Sequence, residues 1–427
     1  MSRGRLVGLV TAAVAAAALG LTWAVGSRPR PAPDLDRIAR LAAAGQFDAA
    51  EAGLVAALRA KPDLDDAHLL WAQMKLDRPE PPTGSGQRPD PGPAETALDH
   101  LGRVRPAGPG RDALVRLYRG KAEYRLARLD AAEVSWLDAL RLDPTVPEAG
   151  WCLLEMYYLE GRAEDSRGLA LKLHRAEPDP RDRVQFLLEL LRQDAQPLAP
   201  ESVVQWFEPA ARQAPDDLHV GLALGLARAR SGKADDGSEL LGRLAREHPD
   251  LADAWDAWLT GLDDAGDIEG LEQALGELSP AMAGTARFAR HEARLAQERG
   301  DIKATVAAYR RALGASPGDL AIGYRLARAL RLSGDRAEAD RLDRDHRALA
   351  DARREARPIY EEANAVRDLG IAPQPDLYRR IADLRERMGL RAEARAWNRL
   401  VLRDRPDDPA SLAAIGRLGD DPTESSK

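Results

Sequence analysis

The chain has 427 residues, of which 44% are hydrophobic, only 5% aromatic and 31% charged. A formal net charge of −7 offers no basic field for nucleic acid, and a single cysteine, Cys152, excludes an internal disulfide. Few aromatics and many alanines fit helices that pack closely through small side chains.

The first segment, residues 1–30, is different material from the rest. Leu6 to Val25 is an uncharged stretch, preceded by Arg3 and Arg5 and followed by Arg28 and Arg30. As a helix it reaches about 30 Å, the thickness of a bilayer core. This predicts a transmembrane signal anchor. A cleaved signal with Ala24 and Gly26 before Ser27, giving a secreted form, is the alternative. No cysteine near its end could carry a lipid. With so short a leader, the simpler topology puts the rest of the chain on the extracytoplasmic, periplasmic side.

Residues 31–335 read as repeated helix pairs. The first unit carries Leu41, Gly45, Ala50, Leu54, Ala57 and Pro62. The second is interrupted at 77–93 by six prolines with Gly84, Gly86 and Gly92, which cannot be helical. Such an insertion reads as a surface loop, or as an extended docking segment. Ala132, Trp136, Ala139 and Pro144 mark the third unit, and Tyr157, Gly161 and Pro178 the fourth. The fifth, near Phe186 to Pro215, and the seventh, near Trp255 to Pro280, are degenerate.

The middle is the most regular. Gly232, Gly266, Gly300 and Gly334 stand thirty-four residues apart, each ending an apolar helical stretch. Glycine adopts the left-handed conformation without a Cβ penalty, and a later proline, such as Pro249 or Pro317, stops the second helix. Residues 336–374 break this rhythm. A charged helix of roughly six turns is expected over Arg336–Arg357, then an extra helix started by Pro358 over Ile359–Leu369. The last unit, within 375–419, has Tyr378, Ala382, Gly389, Ala394, Val401 and Pro406. Leu412, Ile415 and Leu418 form its capping helix, and 420–427 is a flexible tail.

A fixed period of this length signals a stacked-repeat architecture. With its small residues, aromatic and terminal proline, the pattern resembles the tetratricopeptide repeat (TPR) family from about Asp34 to Leu418. The resemblance implies an all-α fold: a right-handed superhelical solenoid of about ten helix-turn-helix repeats, here of bacterial type and behind one membrane or signal helix. It also implies a concave groove, lined by the first helix of each unit, that binds other proteins. Carried over by register, the groove holds Arg287, Arg290 and Arg294 of the eighth unit, and Tyr324, Arg328 and Arg331 of the ninth. Asp253, Asp256, Asp263 and Asp264 stand beside them in the seventh. Arginine grips carboxylates bidentately, so an acidic peptide or a carboxyl terminus is the expected ligand. The family's asparagine-and-lysine carboxylate clamp is not reproduced.

Catalytic patterns are thin. None of the seven histidines pairs with another at i, i+4, and Leu295 stands where a second zinc-binding histidine would follow His291-Glu292. Gly120-Lys121 and Gly232-Lys233 lack the rest of a phosphate loop. Cys152, among Trp151, Leu153 and Leu154, reads as a buried inert thiol, and the acidic residues as solvated helix surface. No enzyme, cofactor or metal site is expected. The expected role is a membrane-anchored scaffold that binds proteins or peptides and no nucleic acid, with self-association through terminal units allowed. A cell-envelope assembly or secretion factor with one dedicated client is the alternative.

Overall fold

The computed structural model describes residues 34–78, 90–368 and 374–419. The expected anchor at Leu6–Val25, the middle of the proline-rich insertion and the tail lie outside them. Among the described residues no helix is long and apolar enough to cross a membrane.

Every regular element among the described residues is a helix. The first ten are α1 (Leu35–Ala43), α2 (Phe47–Ala60), α3 (Asp65–Asp77), α4 (Gly92–Gly102), α5 (Pro109–Arg125), α6 (Leu129–Leu142), α7 (Pro147–Glu160), α8 (Ala163–Ala176), α9 (Pro180–Ala195) and α10 (Pro200–Gln213). The regular middle follows as α11 (Leu218–Arg230), α12 (Ala234–Glu247), α13 (Ala252–Ala265), α14 (Ile268–Gly276), α15 (Ala289–Glu298), α16 (Ile302–Ala315) and α17 (Leu320–Ser333). The chain ends with α18 (Arg336–Asp368), α19 (Pro375–Arg387), α20 (Arg391–Asp404) and α21 (Pro409–Leu418). These are twenty-one helices among the described residues. They fall into two compact units: Met1–Cys152 with Pro209–Asp217, and Leu153–Glu208 with Leu218–Lys427.

The turn between paired helices is built the same way repeatedly. Gly266, Gly300 and Gly334 have φ of 74°, 73° and 95°. The residue after each bonds back to a carbonyl five positions earlier: Asp267 to Leu262, Asp301 to Ala296 and Asp335 to Leu330. Those aspartates then cap the second helix, accepting from Gly270, Ala304 and Glu338 N–H at 2.9, 3.0 and 3.1 Å. This Gly-Asp period was present in the sequence but is only recognisable as a double cap once the bonds are seen.

At Gly266 and Gly300 an added Cβ would meet nothing within 4 Å, so only backbone conformation resists a side chain there. Gly266→Ala and Gly300→Ala should therefore each cost about 1 kcal/mol in urea unfolding, and their sum should hold in the double variant. A cost near zero would mean the turn relaxes out of the left-handed region. Ala127 fills the equivalent turn at φ 60°, but its methyl is fully buried, and that burial offsets the backbone penalty.

In the first compact unit Trp136 is more deeply buried than Trp71. Its ring lies against Gly120, where an added Cβ would come within 2.5 Å of Nε1, and Nε1 donates to the Leu117 carbonyl at 3.1 Å. A histidine pair also appears here, thirty-two residues apart and so invisible to a local scan. Buried His68 places Nε2 2.8 Å from the Pro62 carbonyl oxygen and Nδ1 2.9 Å from Nδ1 of His100. Burial, reinforced by His68, pushes His100 down to about 4, and its neutral ring stacks on Trp71 at 4.7 Å. Cys152 is half-buried rather than buried, because α7 turns Leu153 and Leu154 fully inward instead.

In the second unit two departures from the expected solenoid stand out. The region after Arg336 is one helix, α18, rather than two, with Pro358 inside it. Proline removes one helical N–H, but Ala356 and Ile359 on either side are buried, and that packing carries the helix through. The last pair, α19–α20, does more than cap the end. It shares a core with α9 and the C-terminal half of α18: Leu187, Leu188 and Leu191 meet Ala352, Ala356 and Ile359, together with Ile381 and Trp397. A separate core joins α15, α16, α17 and the start of α18 at Ala339. Not all charges are solvated, either: Asp263, Glu160, Glu393, Arg385 and Arg395 are buried.

Candidate functional site

Of the six groove residues read from the sequence, Arg287 lies in the turn before α15, Arg290 and Arg294 lie on α15, and Tyr324, Arg328 and Arg331 lie on α17; the structure brings the first three beside the acidic residues of α13. Offsets close to the repeat length decide the pairing. Arg287 bonds Asp253, and Arg290 bonds Asp256 at 2.8 Å and Thr260 Oγ1. Arg294 Nε donates to Asp263 at 3.0 Å, while its Nη1 donates to Glu298. One repeat therefore neutralises the next. Asp263 also accepts from Arg325 of α17, so a single buried carboxylate ties three successive first helices together. Arg325 was not among the expected groove residues. Its partner is sixty-two positions away, beyond the reach of any pattern of spacing.

Beneath this ladder lies a layer with little access to water. His291 is fully buried, with Nε2 3.1 Å from Arg290 Nε and 3.3 Å from Asp256 Oδ1. Burial holds the imidazole below its ordinary value, against the Asp256 carboxylate that favours its charge. Burial would raise Asp256, but the His291 hydrogen bond and Arg290 outweigh it and keep the carboxyl below the usual range. Nε2 of His291 thus sits between the Arg290 guanidinium and the Asp256 carboxylate that pairs with it. Tyr309, fully buried beside Arg325, Asp263 and Arg294, is pushed up by burial. The histidine is sealed from solvent. Among the described residues no set of three or more His, Cys, Asp or Glu could hold a metal.

The ladder ends at α17. Arg331 turns to Asp343 and, at 3.6 Å, Asp340 of α18. Arg328 alone of the five arginines has no ion pair among the described residues. It stands one helical turn from Tyr324 and one from Leu332, which are 66% and 69% exposed. After α13, the next first helix and the turn before it supply the partners. After α17 the chain instead runs on as α18.

No family model and no curated protein matches the chain. Several solved structures align with it. A tetratricopeptide repeat protein from Parabacteroides merdae aligns at 13% identity over 72% of this chain and 99% of its own, with a TM-score of 0.28. The Cut9–Hcn1 hetero-tetramer of APC/C gives 12% identity over 96% and 99%, with a TM-score of 0.30. A Rap protein complexed with competence and sporulation factor gives 14% over 76% and 98%, with a TM-score of 0.32. What makes this fold TPR-like is its own geometry: paired helices, a left-handed glycine between them, and a thirty-four-residue period.

Proposed function

We propose that this chain is a non-catalytic protein-binding scaffold, held at a membrane by Leu6–Val25 with its repeats on the extracytoplasmic side. The observation that carries the binding role is the unpaired guanidinium of Arg328 between exposed Tyr324 and Leu332. Exposed apolar groups around one unneutralised cation suit a peptide segment with a carboxylate flanked by apolar side chains. Arg287, Arg290, Arg294 and Arg331 already spend their charge on neighbouring carboxylates, so they shape the groove more than they grip a ligand.

Affinity capture from detergent-solubilised membranes tests this directly. The Tyr324→Ala/Arg328→Ala chain should recover at least tenfold less of a partner held by the wild-type chain. A control at Arg354, exposed on α18, should recover it normally. Unchanged recovery by the double variant would sink the site. Repeating the capture without residues 1–30 separates the anchor from the groove, because a soluble chain that keeps its partner locates binding in the repeats alone.

A further inference from the structure

We propose that the α8–α9 and α19–α20 hairpins form a latch that closes the second unit on itself and releases as one cooperative piece. The joint is non-local. Arg167 of α8 donates to Glu393 of α20 at 2.5 Å, a separation of 226 residues, and to Asp194 of α9 at 2.6 Å. Arg385 of α19 donates to Asp194, and its Nε lies 3.1 Å from Glu393. Each guanidinium thus touches both carboxylates in a closed quartet, with Arg385 fully buried and Glu393 only 2% exposed.

How the quartet is divided makes it a joint rather than a fixed core. Arg167 and Asp194 belong to one hairpin, and Arg385 and Glu393 to the other. On separation each hairpin keeps one neutral pair, which water can resolvate, so no unpaired charge is created. Buried ion pairs return little net stability against their desolvation cost, but they penalise wrong registers heavily. The apolar faces supply adhesion, through Leu187, Leu188 and Leu191 against Ile359, Ile381 and Trp397, while the quartet selects one seating.

The connection to the regular repeats suits a lever. Ala339, near the start of α18, belongs to the α15–α17 core, whereas Ala352, Ala356, Ile359 and Ala363 belong to the latch core. At the other end of the arc, His219 of α11 meets Glu160 at 3.1 Å and Arg162 at 2.9 Å, just before α8. The α11–α17 arc is therefore held at both ends by the same hairpin region. Opening the latch frees the end next to Arg328 and lets the arc change curvature.

Hydrogen exchange on the full-length chain tests this by charge reversal. Arg167→Glu places two acids on one hairpin, and Glu393→Arg places two bases on the other. Each single change should raise amide exchange in α9, α19 and α20 at least tenfold, with α11–α17 within twofold of wild type. The combined Arg167→Glu/Glu393→Arg chain sets two acids against two bases and should restore protection fully. If a reversed-charge chain does not fold, Asp194→Asn reads the same joint more gently. Exchange rising evenly through α11–α17 would overturn the latch by showing one indivisible core. So would single variants that stay protected, or a double variant that does not recover.

Discussion

Replacing Trp136 by alanine is expected to destabilise the first unit by about 3–5 kcal/mol, the range for removing a large aromatic from a packed core. The indole is 2% exposed. Its ring occupies the space that Gly120 leaves by lacking a Cβ, so removing it opens a cavity between α5 and α6. The Leu117 carbonyl would also lose the indole N–H, and Tyr124, whose ring centroid is 5.7 Å away, would lose an edge contact. Trp136→Phe keeps most of the apolar surface and loses the hydrogen bond, so about 1–2 kcal/mol is expected for it. Gly120→Ala tests the same contact from the other side. Circular dichroism in urea is the appropriate readout, since the mutation removes a fluorophore. A loss below about 1 kcal/mol for Trp136→Ala would show that the helices close over the cavity.

Asp263→Ala should cost the second unit about 2–3 kcal/mol. Breaking a buried ion pair by removing one partner costs on the order of 3–5 kcal/mol, but here the stranded cations reach some water. Arg294 keeps Glu298 and is one-fifth exposed, and Arg325 is about one-third exposed. Arg325 would nonetheless lie against the buried Tyr309 with no carboxylate to answer it. Asp253→Ala is the matched control: Asp253 and Arg287 are both exposed, so a change within about 0.5 kcal/mol is expected. Equal costs at the two positions would show that burial of Asp263 contributes nothing. Chemical unfolding followed by hydrogen exchange over α13, α15 and α17 would locate the loss.

These two positions also mark the limits of reading by pattern. Trp136 was visible as an apolar repeat residue, because its helix buries one stripe at three- and four-residue spacing. Asp263 was visible as one of several groove acids, but its burial was not, since that depends on two arginines from later repeats. The strip of arginines was legible as a set on α15, the turn before it and α17. Which of them is free was not, because each is answered by a carboxylate on a neighbouring repeat or helix, and only Arg328 lacks one. The closure of the second unit left a fainter trace. Nearly every residue of α9 from Phe186 to Leu191 is apolar, and in α20 burial extends from Glu393 through Val401, broader in both cases than one stripe requires. A helix apolar on two sides has two neighbours, but its sequence does not say which.

The sequence by itself determined the local grammar: which glycines turn left-handed between helices, and the repeat period. Those are outcomes of backbone sterics and capping, settled within about one repeat. Tertiary structure alone decided that Pro358 stays inside a single helix, that Arg328 is the unpaired rung, and that the last hairpin seats on α8–α9. Each of these is a competition between distant groups for burial or for one another's charge, and such a competition has no signature at any fixed spacing.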